Sequence, residues 1–316
     1  MKAYDPEQLL AQAKQSNRVA LAKLLSIVER GGLPARELAR LTWGRGESAY
    51  LVGITGSPGA GKSTLTDRLI SQVRAKSREV AVIAIDPTSP FSGGAILGDR
   101  VRMQEHATDS GVFIRSMATR GHLGGLALAV PDATRVLSAV GFPYVFIETV
   151  GVGQVEVEVV GAADTIVVVL TPGWGDAIQA NKAGLMEVAD LFVINKADRE
   201  GARETRRDLE LMLEMSRFEG WVPPIVETVA TEGKGIEEAF EAIESHRQYL
   251  ERSGVGQKKR EARILEELTR IVRAEVYRKV DQLISDPSFE ARKAEMMRGE
   301  IDPYSLASDL LRLEGD

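Results

Sequence analysis

The residues best suited to chemistry form a glycine-rich loop that ends in a lysine and two hydroxyl residues. The pattern G-x-x-x-x-G-K-[ST] is typical of phosphate binding, because its glycines let several backbone N–H groups face one point. The helix that begins within the pattern adds its dipole to the anion site. We expect Lys62 to reach the β- and γ-phosphates of a nucleotide and the Ser63 hydroxyl to ligate Mg²⁺. The predicted phosphate-binding residues are Gly56, Ser57, Pro58, Gly59, Ala60, Gly61, Lys62, Ser63 and Thr64.

A second motif, Asn195-Lys196-Ala197-Asp198, matches the N-K-x-D pattern of GTPases and follows an apolar stretch. The Asp198 carboxylate only accepts hydrogen bonds, and guanine offers it N1–H and an amino group. Adenine would set its N1 acceptor against the carboxylate, a mismatch of about 1–3 kcal/mol in a buried site. The motif therefore predicts GTP and GDP as ligands. The predicted base-binding residues are Asn195, Lys196, Asp198, Ala230 and Thr231, the last two at the usual place of a backbone N–H against guanine O6.

Glu148 opens the segment Glu148-Thr149-Val150-Gly151, where GTPases usually carry D-x-x-G. In that pattern the acid lies near Mg²⁺ and the glycine N–H faces the γ-phosphate, so we count Glu148 and Gly151 as catalytic candidates beside Lys62. Val152 occupies the position of the glutamine that orients the attacking water in many GTPases. The sequence therefore predicts slow intrinsic GTP hydrolysis.

Two further carboxylates are candidates for the Mg²⁺ site that Ser63 and Glu148 would form. Asp86 ends an apolar stretch and begins Asp86-Pro87-Thr88-Ser89-Pro90, and Asp99 follows three glycines in the next segment. A carboxylate at a strand end beside a phosphate-binding loop suits a magnesium shell. The alternative for Asp86 is a simple turn or cap residue.

The composition narrows the classes of function. The 316 residues carry a net charge of −6, which gives no electrostatic footprint for nucleic acid. The absence of cysteine excludes disulfides, thiolate metal sites and cysteine nucleophiles. Met1–Asp5 has no apolar run, so we expect no signal peptide, and no stretch approaches the roughly 18 apolar residues of a membrane span. We expect a cytoplasmic protein that binds neither membrane nor nucleic acid.

Seven short apolar stretches alternate with helical patterns between residues 48 and 247. Most are apolar throughout, as in strands buried on both faces. They predict an α/β fold of the P-loop NTPase type, with a doubly wound, mostly parallel sheet whose carboxyl edge collects the motifs. The stretches are Leu51–Thr55, Val80–Ile85, Val112–Arg115, Tyr144–Glu148, Thr165–Leu170, Leu191–Asn195 and Ile225–Thr228.

Helical patterns flank this region at both ends of the chain. We predict an N-terminal helical extension over 1–47, a GTPase domain over 48–252 and a C-terminal helical arm over 253–316. Ser253-Gly254-Val255-Gly256 indicates a flexible break, and Lys258-Lys259-Arg260 indicates a solvated helix face. The arm has too little apolar content for a core of its own.

Taken together, the motifs resemble those of the SIMIBI-class GTPases and, within them, the MeaB/ArgK/MMAA group. The distinctive segments are Asp86–Pro90, Gly93–Arg100, Ala118–Gly121, Glu148–Gln154 and Asp302–Tyr304. The resemblance implies a homodimeric GTPase, joined through its C-terminal arm, that chaperones an adenosylcobalamin-dependent mutase. The client would be methylmalonyl-CoA mutase or a relative, with cofactor loading gated and the mutase protected from inactivation.

The same resemblance aligns the segment Pro172–Lys182 with an extra switch loop that couples the GTPase to its mutase. It makes Lys182 a catalytic candidate that moves onto the phosphates when the partner docks, in the manner of an arginine finger. From the residues alone, Asp176 and Lys182 could equally be exposed loop charges.

Three other functions compete with this interpretation. A nickel-insertion GTPase shares the fold class but needs cysteine or histidine, and His106, His122 and His246 are dispersed. An ATPase or kinase that serves basic-amino-acid (LAO/AO-type) transport conflicts with the guanine-type motif. A scaffold that binds GTP without turnover would differ in single-turnover hydrolysis.

Overall fold

The computed structural model describes residues 5–44, 49–86, 106, 108–118, 123–149, 161–173, 188–218 and 220–312. The chain divides into two compact units, Met1–Glu261 and Ala262–Asp316. The first unit carries the motifs of the nucleotide site. Within the described residues no helix is long and apolar enough to cross a bilayer.

A seven-stranded sheet forms the centre of the first unit in the described part of the chain. Its strands are β1 (Tyr50–Gly56), β2 (Val80–Asp86), β3 (Val112–Ala118), β4 (Tyr144–Thr149), β5 (Thr165–Leu170), β6 (Leu191–Asn195) and β7 (Ile225–Thr228). Their order is β3-β2-β4-β1-β5-β6-β7, and every neighbouring pair is parallel. This confirms the predicted fold class, and each predicted stretch is a strand.

Helices flank the sheet and continue into the second unit. They are α1 (Pro6–Lys14), α2 (Arg18–Arg30), α3 (Gly32–Thr42), α4 (Lys62–Ala75), α5 (Leu123–Val140), α6 (Ala202–Met215), α7 (Ile236–Ser253), α8 (Val255–Ser285), α9 (Phe289–Met297) and α10 (Pro303–Arg312). A 3₁₀ turn, Ala230–Glu232, lies between β7 and α7. The N-terminal region is helical as predicted, with α2 begun by the Asn17 cap and ended at Gly31.

Burial on both faces explains why the strands are apolar throughout. On β2, Ala81 and Ile83 belong to the core shared with α1 to α3 and α5. The alternate residues Val80 and Val82 belong to the core shared with α4 and α7. Because successive side chains point to opposite faces, both sets must be apolar. The sheet therefore lies between two helical layers.

The predicted break after α7 is a single residue, because Gly254 adopts a left-handed φ of 71° and α8 resumes at Val255. The first unit extends to Glu261, within α8. Lys259 Nζ lies 3.0 Å from Asp190 Oδ1, and Arg260 Nε lies 3.7 Å from Asp164 Oδ1. Two members of the predicted solvated run thus make ion pairs with carboxylates at the amino ends of β5 and β6.

Candidate functional site

The glycine-rich loop joins β1 to α4 at the carboxyl edge of the sheet, as its sequence predicts. Gly56 has φ 138°, and a Cβ there would overlap the carbonyl oxygen of Val169 on the neighbouring strand. Gly61 has φ 87°, and a Cβ there would overlap Asn195 Nδ2. Side chains are excluded at both positions by backbone conformation and by space. The loop is therefore compact and packed directly against the Asn195 segment.

Lys62 is the first residue of α4 and is buried. Its Nζ donates to the carbonyl oxygens of Gly56, at 2.6 Å, and of Ser57, at 3.0 Å. The ammonium thus lies across the loop whose backbone would hold the phosphates. A cation at this point complements the charge of a nucleotide's phosphates.

Ser63 and Glu148 meet at the same edge, although 85 positions separate them in the sequence. The Ser63 hydroxyl donates to Glu148 Oε1 at 2.6 Å, and both residues are buried. The β1–β4 register sets Glu148 opposite Ile54, shortly before the glycine loop. A buried hydroxyl beside a carboxylate is an all-oxygen donor set, which fits Mg²⁺ and not a softer metal.

Asp86 ends β2, and its backbone pairs with Ala118 of β3. On the other side of β2, Ile85 pairs with Thr149, directly after Glu148. The backbone of Asp86 thus reaches the same edge as Glu148. The Asp86 side chain lies outside the described structure, as do the predicted site residues Asp99, Gly151 and Lys182.

Asn195 ties the predicted base-binding segment to the phosphate loop. Its Nδ2 donates to Ala60 O at 2.7 Å. Its Oδ1 accepts from Thr228 Oγ1 and from Ala230 N, each at 3.1 Å. One buried amide therefore holds three segments in a fixed relation, which gives Asn195 a bracing role.

Lys196 adds a second link between the two loops. Its Nζ donates to Gly59 O at 2.7 Å, and its backbone has a φ of 60°, which is uncommon for a residue with a Cβ. Strained backbone of this kind concentrates at functional sites. The conformation places the Lys196 stem beside the glycine loop, where the face of a base could lie against it.

Asp198 is exposed just beyond this link, so its carboxylate is accessible to a ligand. The pKa of Lys234 is raised, first by its hydrogen bond to Glu232 and further by the charge of Asp198. Lys234 Nζ lies 2.6 Å from Glu232 Oε2. Because Ala197 N donates to Thr228 O at 3.0 Å, the Asp198 segment and the 3₁₀ turn that follows β7 form one cluster at the sheet edge.

Two residues of this cluster, Thr228 and Arg68, are not among the site residues predicted from the sequence. Thr228 binds Asn195 Oδ1, and Arg68 Nε on α4 donates to Ala230 O at 3.2 Å. Thr228 ends a predicted strand two residues before Ala230, and that position is a usable signal. Arg68 is one of many helix arginines, and only the folded contact sets it apart.

The two described histidines make structural contacts. His106 Nε2 lies 3.4 Å from Asp67 Oδ1 on α4. His246 is buried against Thr165 and Trp221, and burial lowers its pKa to about 4, so it is neutral at pH 7. Among the described residues no group of three or more histidines, cysteines or carboxylates could hold a metal ion.

The chain is similar in sequence to known proteins described as GTPases. A family model described as methylmalonyl-CoA mutase-associated GTPase MeaB matches residues 21–284. A protein of Pyrococcus abyssi, named as a GTPase, is 53% identical over 310 residues, covering 97% of this chain and 96% of its own. The mouse mitochondrial protein named methylmalonic aciduria type A homolog is 33% identical over 267 residues, covering 78% of this chain and 64% of its own.

A solved structure of a protein named LAO/AO transport system kinase superposes with a TM-score of 0.72 at 26% sequence identity, over 98% of each chain. The aligned region thus includes the central sheet and the helical regions at both ends of this chain. Three findings agree on the family of this chain. They are the guanine-type motif, the braced phosphate loop and a family match that spans most of the sequence. The chain belongs to the family of methylmalonyl-CoA mutase-associated GTPases, MeaB.

Proposed function

We propose that this GTPase is a cytoplasmic chaperone for an adenosylcobalamin-dependent acyl-CoA mutase, gating cofactor loading and protecting the mutase. The family description names methylmalonyl-CoA mutase, and the mouse relative is named for methylmalonic aciduria. The observation that carries the GTPase part is the Asn195 side chain, which joins the phosphate loop to the base segment. The client is proposed on the family relationship.

In this proposal the phosphate loop holds the nucleotide through its backbone amides, and Lys62 leaves its two carbonyl partners for the β- and γ-phosphates. Asp198 selects guanine while Lys196 lies along the base. Ser63 would ligate Mg²⁺, with Glu148 in its shell and Asp86 and Asp99 as further candidates. A Mg²⁺ ion held there would neutralise negative charge on the phosphates. Gly151 is assigned to the γ-phosphate by its place in the motif.

Hydrolysis should be slow without the partner, because Val152 cannot orient a water molecule. We expect unstimulated single turnover on the order of 10⁻⁴–10⁻³ per second, as in GTPases without an assisting group, and a clear acceleration when the client mutase is added. Lys182→Ala should keep the unstimulated rate and lose the acceleration. The measurement is single-turnover GTP hydrolysis with and without mutase.

Equal acceleration in Lys182→Ala and in the unchanged protein would remove the role proposed for Lys182. Unstimulated turnover of many per second would contradict slow intrinsic hydrolysis. A capture experiment with a non-hydrolysable GTP analogue in native extract tests the client, and the expected result is recovery of a B12-dependent mutase. Binding without any turnover, alone or with the mutase, would favour a scaffold.

A role in basic-amino-acid transport is the second candidate, favoured by the superposition on the protein named LAO/AO transport system kinase. The mutase chaperone would bind GTP, whereas an ATPase or kinase for transport would bind ATP. The Asp198 carboxylate suits guanine and not adenine. Competition between GTP and ATP for binding separates them, and we expect GTP to prevail. Nickel insertion is disfavoured because the chain has no cysteine, and a nickel titration tests it.

We propose further that the chain forms a homodimer through its C-terminal arm. Helix α8 is 31 residues long and exposes apolar side chains at helical spacing, among them Leu265, Leu268 and Val272. More than half of each of these side chains is accessible to solvent in the single chain. A long apolar stripe of this kind marks an interaction surface.

Leu268→Glu should convert the dimer to a monomer, because it sets a charge into the proposed interface. The mass in solution, measured by light scattering on a sizing column, should fall to that of one chain. Leu211→Glu is the matched control, since Leu211 is comparably exposed on α6. A dimer that persists in Leu268→Glu would place the interface elsewhere.

A further inference from the structure

Hydrogen bonds fix the orientation of the peptide groups around Ala230, in the 3₁₀ turn that follows β7. Ala230 is buried, and its N–H donates to Asn195 Oδ1 at 3.1 Å. Its carbonyl oxygen accepts from Gly233 N at 3.3 Å within the turn and from Arg68 Nε at 3.2 Å. The Ala230 amide is thus already engaged by a side chain of the site.

The carbonyl of Ala230 and the N–H of Thr231 belong to the same peptide group. No cis peptide bond occurs in the described residues, so these two bonds point in opposite directions. Because the Ala230 carbonyl points at Arg68 on α4, the Thr231 N–H points away from α4. The sequence predicts one backbone N–H against guanine O6 at Ala230-Thr231, and the contact with Arg68 directs the N–H of Thr231.

We infer that Arg68 is a positioning residue for guanine recognition, which holds the Ala230–Thr231 peptide so that the Thr231 N–H donates to O6 of the base. This rests on the proposed binding of GTP. It adds a residue outside both nucleotide motifs, Arg68, that orients the predicted hydrogen-bond donor to O6, a contact separate from that of the Asp198 carboxylate.

The position of Arg68 suits this role. Arg68 lies six residues after Lys62 on α4, about 9 Å along the helix axis. The helix that begins at the phosphate site therefore also sets the place of the O6 donor. Gly233 orients the carbonyl within the turn, whereas Arg68 orients the turn relative to α4. A planar guanidinium with a fixed Nε–H direction does this better than a flexible ammonium.

The test is Arg68→Met, which keeps the apolar stem and removes the donor. Affinities are measured by calorimetry for GDP, for 6-thio-GDP, in which sulfur replaces O6, and for IDP, which lacks the 2-amino group. The unchanged protein should prefer GDP over 6-thio-GDP by about 5-fold, the value of one neutral hydrogen bond. In Arg68→Met this preference should fall below about 2-fold, while the preference for GDP over IDP, set by Asp198, stays unchanged.

An equal loss of affinity for all three nucleotides would mean a merely structural role and would overturn the inference, as would an unchanged GDP to 6-thio-GDP ratio. Arg30→Met, whose Nε donates to Ser26 O on α2, is the matched control and should alter no ratio. If Arg68→Met does not fold, Arg68→Lys carries the same test with the same expected direction. No binding of GDP by the unchanged protein would instead sink the proposed function itself.

Discussion

Asp198→Asn is expected to weaken GDP binding by about 100-fold or more and to create binding of xanthosine diphosphate. In the proposed site the carboxylate would accept from guanine N1–H and from the 2-amino group, and these would be hydrogen bonds to a charged acceptor. Asparagine at this position replaces one carboxylate oxygen with an NH₂ group. That donor would oppose the 2-amino group of guanine, which is also a donor. Xanthine carries an oxygen there instead, so the same amide suits it. Calorimetry with GDP, xanthosine diphosphate and ADP measures the change.

The structure supplies the reason why this exchange should act on the base alone. Asp198 is exposed, whereas the residues that brace the site, Asn195 and Thr228, are buried. The bracing contacts therefore remain when Asp198 changes. Asp208→Asn on α6 removes an equally exposed carboxylate and serves as the control. Unchanged GDP affinity in Asp198→Asn would refute the assignment of the base-reading acid.

Most of the fold can be predicted from the sequence, because strands buried on both faces need uninterrupted apolar residues. Thr165–Leu170 is an example, and the strand has those bounds in the structure. The end of β3 is harder to predict. It runs three residues beyond the predicted Arg115, because Ser116, Met117 and Ala118 pair with the end of β2. Pairing between strands decides such ends, and it leaves no local pattern.

In the candidate site, too, some residues can be predicted from the sequence and others cannot. Lys62, Ser63 and Asp198 belong to short motifs whose chemistry is local, so their residue types alone suggest a role. The contact between Arg68 and Ala230 joins residues 162 positions apart. No periodicity or motif marks it, because its geometry arises only when α4 packs beside the turn. The bracing by Asn195 lies between these cases, since Asn195 belongs to a motif that marks it for the nucleotide site but does not identify its partners in the protein.

The C-terminal limit of the first compact unit, at Glu261, cannot be predicted from the sequence. Gly254 marks the end of α7, and a boundary there is a natural prediction. The compact unit nevertheless includes the first turns of α8, where Lys259 and Arg260 meet the acids that precede β5 and β6. These ion pairs join the first turns of α8 to distant segments of the sheet, while the helical pattern runs through the limit at Glu261 unchanged. The domain boundaries at 47 and 252 remain predictions.

Lys62→Met is expected to lower the single-turnover rate of GTP hydrolysis by about 100- to 1,000-fold, because a preorganised cation at the developing charge is lost. Methionine keeps the buried stem of the side chain, so the thermal midpoint of the nucleotide-free protein should change little. Removing a buried charge also removes its desolvation cost, which offsets the lost contacts to Gly56 O and Ser57 O.

The control for Lys62→Met is Lys76→Met, at the other end of the same helix. Lys76 caps α4, and its Nζ lies 4.5 Å from the centroid of the Phe240 ring, away from the glycine loop. Its loss removes the same charge from α4 without touching the phosphate site, so hydrolysis should continue at the original rate. If both variants lost activity equally, the net charge of the helix would be the relevant quantity. If Lys62→Met kept its activity, the ammonium at the start of α4 would have no part in hydrolysis, and the chemistry would have to rest on the backbone amides and the magnesium shell alone.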